Sequence, residues 1–288
     1  MYEFISDVVE FYSETEDVPN IKQLVILDFV DLSSIQVGSV AVISNMIELL
    51  RYAGFKVRFK DAEICKARNF LVGSGFAAQY LGDKNALVER NFLPLRLVES
   101  AKSFPFIGNS LIPWMAEMLE CQPSALASLK ACLMEIYNNI SDHSEINIGC
   151  SCAHFDSTLG TLTICVSDFG VGIPNKVRTI RPNISSDAAA IALACVEGFT
   201  TQSTRGNRGA GLPNLIRSVV EVNSGDLRIF SRGGIFTSVK NSDGKRVDSR
   251  SQPTLSDAIY PGTLIRVILY KNKFSPDDIG EKEYKWDE

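Results

Sequence analysis

Apolar and polar positions in the first hundred residues follow strand-like and helix-like spacings in turn. Residues 24–30 are rich in branched apolar side chains and predict a buried strand. Apolar positions at helical spacing follow, and this predicted helix ends at Gly54, a residue type that commonly terminates helices. Residues 55–59 alternate as a half-buried strand, and residues 61–67 and 70–80 predict further helices. This order predicts an α/β domain with helices packed on a sheet.

A second amphipathic helix carries a polar stripe beside its apolar one. Its apolar positions recur every three or four residues from Leu126 to Ile140. Glu135, Asn139 and His143 fall at positions i, i+4 and i+8, and each step of four rotates the side chain by only about 40°. A carboxylate, an amide and an imidazole therefore share one helix face, although a solvated face gives the same pattern.

A strand that runs into a glycine-containing turn provides the next candidate site. Residues 161–167 predict a strand, and Asp168 to Gly172 follow it directly. The carboxylate of Asp168 is a strong hydrogen-bond acceptor, and Gly170 and Gly172 leave the adjacent backbone free of side chains. This combination indicates the floor of a ligand pocket.

A cluster of glycines and arginines precedes another predicted helix. Gly206, Gly209 and Gly211 lie within six residues, with Arg205 and Arg208 among them. Backbone amides at the start of a helix, together with the positive end of its dipole, favour bound anions. The segment therefore predicts a cradle for an anionic group.

Composition and charge narrow the range of functions. The 288 residues are 45% hydrophobic and 22% charged, as in globular proteins, and the net charge of −5 gives no overall attraction for DNA or anionic membranes. Residues 201–250 nevertheless carry nine Lys and Arg against four Asp and Glu, which favours an anionic ligand there. We find no apolar run long enough to span a membrane and no secretion signal, so a cytoplasmic location is expected. The polar residues 241–256 predict a loop.

Four motifs occur together in the order seen in the GHKL ATPases, a superfamily that includes gyrase, a heat-shock chaperone, histidine kinases and mismatch-repair ATPases. They are Glu-x-x-x-Asn-x-x-x-His at 135–143, Asp-x-Gly-x-Gly at 168–172, Gly-Asn-Arg-Gly-Ala-Gly-Leu at 206–212 and Gly-Thr at 262–263. About 150 residues of this chain therefore resemble that superfamily. The resemblance implies a two-layer α/β sandwich with a mixed, largely antiparallel sheet, the Bergerat fold, and it implies ATP and Mg²⁺ as ligands.

The resemblance also implies roles for the residues on the adenine side. Asp168 matches the carboxylate that accepts a hydrogen bond from the adenine amine and so selects adenine. Gly170 and Gly172 match the glycines whose backbone lies against the base. Thr263 resembles the hydroxyl that joins this network.

On the phosphate side, Asn139 matches the amide that ligates Mg²⁺, the metal being held mostly by phosphates and water. Glu135 matches the residue that activates water in hydrolysing members or orients the acceptor hydroxyl in kinases. His143 resembles the anti-sigma-factor kinase pattern of an Asn followed four residues later by a His, and a structural role for it stays open. The implied phosphate loop and lid supply the other candidate ligand-binding residues: Thr200, Thr201, Arg205, Gly206, Arg208, Gly209, Ala210, Gly211 and Leu212.

Residues 20–85 resemble the STAS domain, the fold of anti-sigma-factor antagonists. The resemblance rests on a strand ending near Asp28, a helix closing at Gly54 and the segment 70–76. Many STAS domains carry a phosphorylatable Asp-Ser-Ser-Gly turn where residues 36–39 read Gln-Val-Gly-Ser, which argues against a phosphorylation switch. We therefore predict a STAS-like domain at 1–100, a connector at 101–123, a GHKL ATP-binding domain at 124–272 and a charged tail at 273–288.

Two uses of ATP remain open at the level of the sequence. The first is an ATP-dependent conformational switch or slow ATPase, which the carboxylate of Glu135 favours. The second is a serine/threonine kinase acting on a partner protein, which the spacing of Asn139 and His143 and the STAS-like segment favour. The two histidines, His143 and His154, both lie in the predicted ATP domain, so a histidine kinase that phosphorylates itself is not expected. A protein partner is expected, and a homodimer is considered.

Overall fold

The computed structural model describes residues 24–83, 88–97, 104–143, 149–199, 211–252 and 260–278, with the backbone alone for 138–143. Its first elements are a pair of parallel strands and the helix that connects them. Because parallel strands need a crossover connection, the long helix between them is the expected link. These elements, with two short helices that follow, are β1 (Leu24–Asp28), α1 (Val37–Tyr52), β2 (Lys56–Lys60), α2 (Arg68–Gly73) and α3 (Phe76–Tyr80).

A seven-stranded sheet forms the centre of the described structure. Its strands are β3 (Phe92–Leu97), β4 (Gly149–Asp156), β5 (Thr161–Asp168), β6 (Asp226–Arg232), β7 (Gly234–Lys240), β8 (Arg246–Ser251) and β9 (Tyr260–Tyr270). They lie in the order β3-β4-β5-β9-β6-β7-β8, and every neighbouring pair is antiparallel. The last strand in the chain order is therefore inserted at the middle of the sheet, between β5 and β6.

Helices on one face of this sheet enclose the larger apolar core. Leu129 and Leu133 are fully buried there together with Ile164 of β5 and Val267 of β9. None of the helices in the described part of the chain combines the length and apolar character needed to cross a bilayer. The α-helices described beyond the N-terminal region are α4 (Ile112–Leu119), α5 (Ala127–His143), α6 (Gly172–Ile180), α7 (Asp187–Ala194) and α8 (Gly211–Ile216).

Helix α1 covers part of the opposite face of the same sheet. Side chains alternate across a strand, so Cys165 and Leu264 point away from the larger core. They pack instead in a second apolar cluster, which includes Ile43 and Ile47 of α1. The strands β4, β5 and β9 are consequently covered on both faces.

The predicted fold class is confirmed, because the chain forms an α/β structure with a seven-stranded antiparallel sheet and a layer of helices, besides the separate parallel pair β1–β2. The elements predicted at 24–30, 55–59 and 161–167 correspond to β1, β2 and β5. The resemblance to a STAS domain stays a prediction.

Two local predictions were wrong. Residues 61–67 form turns rather than a helix, and Asp61 has a φ of 57°, in the left-handed region that interrupts a right-handed helix. The predicted loop 241–256 contains β8, which pairs with β7 along its whole length. All six residues of β8 are exposed, so this edge strand lacks the apolar alternation that reveals a strand in a sequence.

The division into domains also stays a prediction, and some described contacts bear on it. The strand β3 lies within the predicted STAS-like region but pairs with β4 in the central sheet. The helix α4 lies within the predicted connector, and its residues Met115 and Leu119 are buried in the larger core. The first residues of the predicted tail, up to residue 278, are described, and the rest lie outside the described residues.

Candidate adenine and phosphate sites

Three neighbouring strands place polar residues in one row across the sheet. Asp168 at the end of β5 lies opposite Thr263 of β9, which in turn lies opposite Ser231 of β6. Val166 and Ile265 point into the larger core, and side chains two positions apart in a strand share a face. Asp168 follows Val166 by two positions and Thr263 precedes Ile265 by two. The row therefore lies on the sheet face that carries the larger core. The structure thus brings together two residues predicted from the sequence and a third that was not.

Burial and local charges set the acidity of Asp168. Burial raises the pKa of its carboxyl group to about 6, and this is the dominant effect. The amide of Gly170 opposes it by donating a hydrogen bond of 2.8 Å to Oδ1, and the charge of Lys176 and the backbone of Thr263 also act against it. Above pH 6 the carboxylate form predominates, and this form only accepts hydrogen bonds.

Ser231 is a buried hydroxyl that joins three elements around this row. Its Oγ donates to the carbonyl oxygen of Gly262 at 2.7 Å, accepts from the amide of Ile173 at 2.9 Å and lies 3.1 Å from the hydroxyl of Thr263. The side chain therefore connects β6, β9 and the first turn of α6. No motif marks this serine in the sequence, because its role depends on which strands become neighbours.

Two glycines allow the backbone to pack closely beside the row. Gly262 and Gly172 have φ angles of 95° and 76°, which favour glycine. A methyl group on Gly262 would lie 2.6 Å from the amide nitrogen of Gly170, and one on Gly172 would lie 3.0 Å from Ser231 Oγ. The predicted glycines of the Asp-x-Gly-x-Gly motif therefore have defined places: Gly170 donates to Asp168, and Gly172 begins α6.

The second part of the candidate site lies where α5 meets α8. Glu135 is half-buried, and a methyl group on Gly211 would lie 2.6 Å from its carboxyl carbon. Burial raises the pKa of the Glu135 carboxyl group above its ordinary value. Leu212 is partly buried and packs against the larger core. A carboxylate of raised pKa is suited to take up a proton during a reaction.

The remaining candidate residues are placed only in part. Asn139 and His143 lie in α5, as predicted, one and two helical turns after Glu135, but their side chains lie outside the described residues. The predicted lid and most of the phosphate loop lie wholly outside the described residues. These candidates are Thr200, Thr201, Arg205, Gly206, Arg208, Gly209 and Ala210.

A magnesium ion fits the donors present only if the nucleotide supplies most of its ligands. Among the described side chains, no group of three or more His, Cys, Asp or Glu residues comes together to hold a metal. Mg²⁺ commonly binds phosphate oxygens and water with one or two protein ligands, so such a group is not required. The half-buried carboxylate of Glu135 provides an oxygen donor next to Gly211, on the side where phosphates are expected.

Comparison with known proteins gives similarities of structure alone. No protein-family model and no curated protein matches this chain. The ATPase and transducer domains of DNA topoisomerase II from Balamuthia mandrillaris match at 12% identity over 47% of this chain and 34% of theirs, with a TM-score of 0.25. The B-subunit of DNA gyrase from Myxococcus xanthus matches at 15% identity over 45% of this chain and 32% of its own, with a TM-score of 0.23.

The SiaB–SiaC complex from Pseudomonas aeruginosa matches at 15% identity over 66% of this chain and 96% of the matched chain, with a TM-score of 0.29. The matched segments span only about a third of the topoisomerase II and gyrase chains. At TM-scores of 0.23 to 0.29, these similarities are too low to assign a function to this chain.

Proposed function

We propose that this protein binds ATP with Mg²⁺ in a pocket on the larger-core face of the sheet, between the row at Asp168 and the contact of Glu135 with Gly211. The observation that carries this proposal is the row of Asp168, Thr263 and Ser231 on three neighbouring strands. A partly buried carboxylate lies beside two hydroxyl groups, and glycine backbone packs closely against this row. The order of the four motifs in the sequence supports the same ligand.

Adenine would be selected at Asp168. The exocyclic amine of adenine is a hydrogen-bond donor, and the ionised carboxylate accepts but does not donate. Guanine presents a carbonyl oxygen at the corresponding position, which would leave two acceptors facing each other. The hydroxyl group of Thr263 can donate to or accept from a ring nitrogen or bridging water, while Ser231, already bonded to Gly262 and Ile173, supports Thr263 from behind. The pocket is therefore chemically suited to adenine.

The phosphates would extend towards α5 and α8. Bound Mg²⁺ would supply positive charge that neutralises the phosphate oxygens, with Asn139 as the proposed protein ligand. Glu135 would orient and deprotonate the attacking hydroxyl or water, because its carboxyl group is half-buried and its pKa is raised. Arg205 and Arg208, within the lid that the resemblance implies at 200–208, are the proposed arginine ligands of the phosphates.

We favour an ATP-dependent switch or slow ATPase over a kinase for a partner protein. Glu135 serves both chemistries, so the choice depends on what accepts the phosphoryl group. A protein partner, a homodimer and a cytoplasmic location stay predictions.

The first test is ATP affinity. Calorimetric titration with Mg²⁺ present should give binding by wild type and a loss of about tenfold or more for Asp168→Asn, since hydrogen bonds to charged groups contribute about 1.5–3 kcal/mol. Asp156→Asn is the matched control. Asp156 also ends a strand, β4, and accepts backbone hydrogen bonds from Thr158 and Leu159 at 2.9 and 3.0 Å. It lies beside the first residue of β5, at the opposite end of that strand from Asp168. Equal losses in both variants, or no binding by wild type, would contradict the proposal.

The second test follows the γ-phosphate. Radiolabelled ATP should yield free phosphate for wild type and far less for Glu135→Gln, which keeps the side-chain shape but cannot take up the proton. Label that appears on an added partner protein instead of in solution would favour the kinase. Unchanged phosphate release in Glu135→Gln would remove Glu135 from the chemistry.

A further inference from the structure

Helix α1 buries two adjacent polar residues against the sheet. Ser44 and Asn45 are both fully buried within a largely apolar interface. Such groups need hydrogen-bond partners, because burying a polar group without one is costly. The two residues find their partners in different parts of the molecule.

Asn45 reaches the strands that form the adenine site. Its Nδ2 donates to Ser167 Oγ at 2.9 Å, and Ser167 Oγ also bonds the hydroxyl of Tyr260. These three buried side chains, Asn45, Ser167 and Tyr260, are called the polar triad below. Ser44 instead bonds the hydroxyl of Tyr80, in α3, at 2.6 Å.

The polar triad lies directly behind the proposed adenine site. Ser167 precedes Asp168 in β5, and Tyr260 precedes Thr263 by three positions in β9. Because successive side chains point to opposite faces of a strand, Ser167 points towards α1 whereas Asp168 faces the proposed pocket. Phe169 lies on the same side as the triad and stacks edge-on against Tyr260, with ring centroids 5.4 Å apart.

We infer that Asn45 is a positioning residue for the adenine site and that α1 docking and nucleotide binding are thermodynamically linked through the polar triad. The inference rests on the proposed function. By fixing Ser167 and Tyr260, Asn45 holds the ends of β5 and β9 in the register that brings Asp168 and Thr263 together. Linkage is reciprocal, so a ligand that binds N-terminal elements and shifts α1 would change ATP affinity, and ATP would change affinity for that ligand.

An unpartnered atom distinguishes this role from simple packing. Asn45 Oδ1 is buried and has no hydrogen-bond partner among the described residues. An apolar residue of similar size at this position removes that unsatisfied acceptor, while Ser167 and Tyr260 still bond each other. Asn45→Leu should therefore keep the thermal stability of the wild type or raise it. A positioning role predicts that ATP affinity falls nonetheless.

The test compares Asn45→Leu with Ser44→Ala by thermal unfolding and by ATP titration with Mg²⁺. Ser44→Ala is the matched control, because it removes an equally buried polar group of α1 whose partner lies outside β5 and β9. We expect ATP affinity to fall about fivefold or more in Asn45→Leu, in the range of typical coupling between sites, and less than about twofold in Ser44→Ala. Equal ATP affinities in Asn45→Leu and wild type would overturn the inference.

Hydrogen exchange separates this inference from the proposed function. Amides of residues 168–172 should exchange faster in Asn45→Leu than in wild type or Ser44→Ala, with or without nucleotide. If wild type does not bind ATP, the proposed function fails, and unchanged exchange in Asn45→Leu would then reject the positioning role as well. Tyr260→Phe combined with Asn45→Leu should show non-additive losses, because both act through Ser167.

Discussion

The replacement Asp168→Asn should stabilise the protein in the absence of nucleotide while weakening ATP binding. Asparagine keeps an oxygen that can accept the 2.8 Å bond from Gly170, but it carries no charge to bury. The wild-type carboxylate remains ionised above pH 6 although its position is partly removed from water, and this has a cost to folding. Function and stability therefore place opposite demands on this residue.

The magnitude follows from the pKa of Asp168 in the two states. The folded value of about 6 lies above the ordinary value of 3.8, so between these pH values the folded protein binds more protons than the unfolded chain. The stabilisation that the folded protein gains by keeping the Asp168 carboxyl group protonated is therefore fully present below pH 3.8. It falls as the pH rises towards 6 and is lost above pH 6. At about 1.36 kcal/mol per pH unit, the difference corresponds to about 3 kcal/mol.

The assay is urea denaturation of wild type and Asp168→Asn at pH 5 and pH 8 without nucleotide. Subtracting the two proteins cancels the titration of other groups, including Glu135. The stability advantage of Asp168→Asn should grow by about 1–2 kcal/mol between the two pH values, because part of the loss has already occurred by pH 5. An advantage that shrinks with pH, or a variant less stable than wild type at pH 8, would refute the argument.

Three other predictions concern the packing around the site. Ser231→Ala removes a bond to Gly262 and leaves the amide of Ile173 without its acceptor, so urea denaturation should show a loss of about 1–3 kcal/mol. Gly211→Ala should lower the thermal stability, and much of that loss should disappear in the Glu135→Ala background, because the added methyl group overlaps the Glu135 carboxylate; additive losses would contradict this contact. Leu129→Ala should cost about 2–5 kcal/mol, because it opens a cavity in the larger core; a cost below 1 kcal/mol would argue against that packing.

Periodicity and local chemistry allowed several elements to be predicted from the sequence. The strand β5 and the helix α5 carry regular apolar positions, so their location and the positions of Asp168 and Glu135 within them followed directly. The helix α1 was also predicted, with its end near Gly54, which has the φ of 88° expected of a terminating glycine. Each of these features depends on residues close together in the chain.

The tertiary structure determined the features that depend on contacts between residues far apart in the chain. Ser231 joins Thr263 only because β9 is inserted between β5 and β6, and a single strand carries no information about its neighbours. The exposed strand β8 was missed because an edge strand needs no apolar face. The place of α1 was equally hidden, since an amphipathic helix can cover any apolar surface. Its place behind Asp168 depends on the tertiary bond from Asn45 to Ser167, which lie 122 positions apart in the chain.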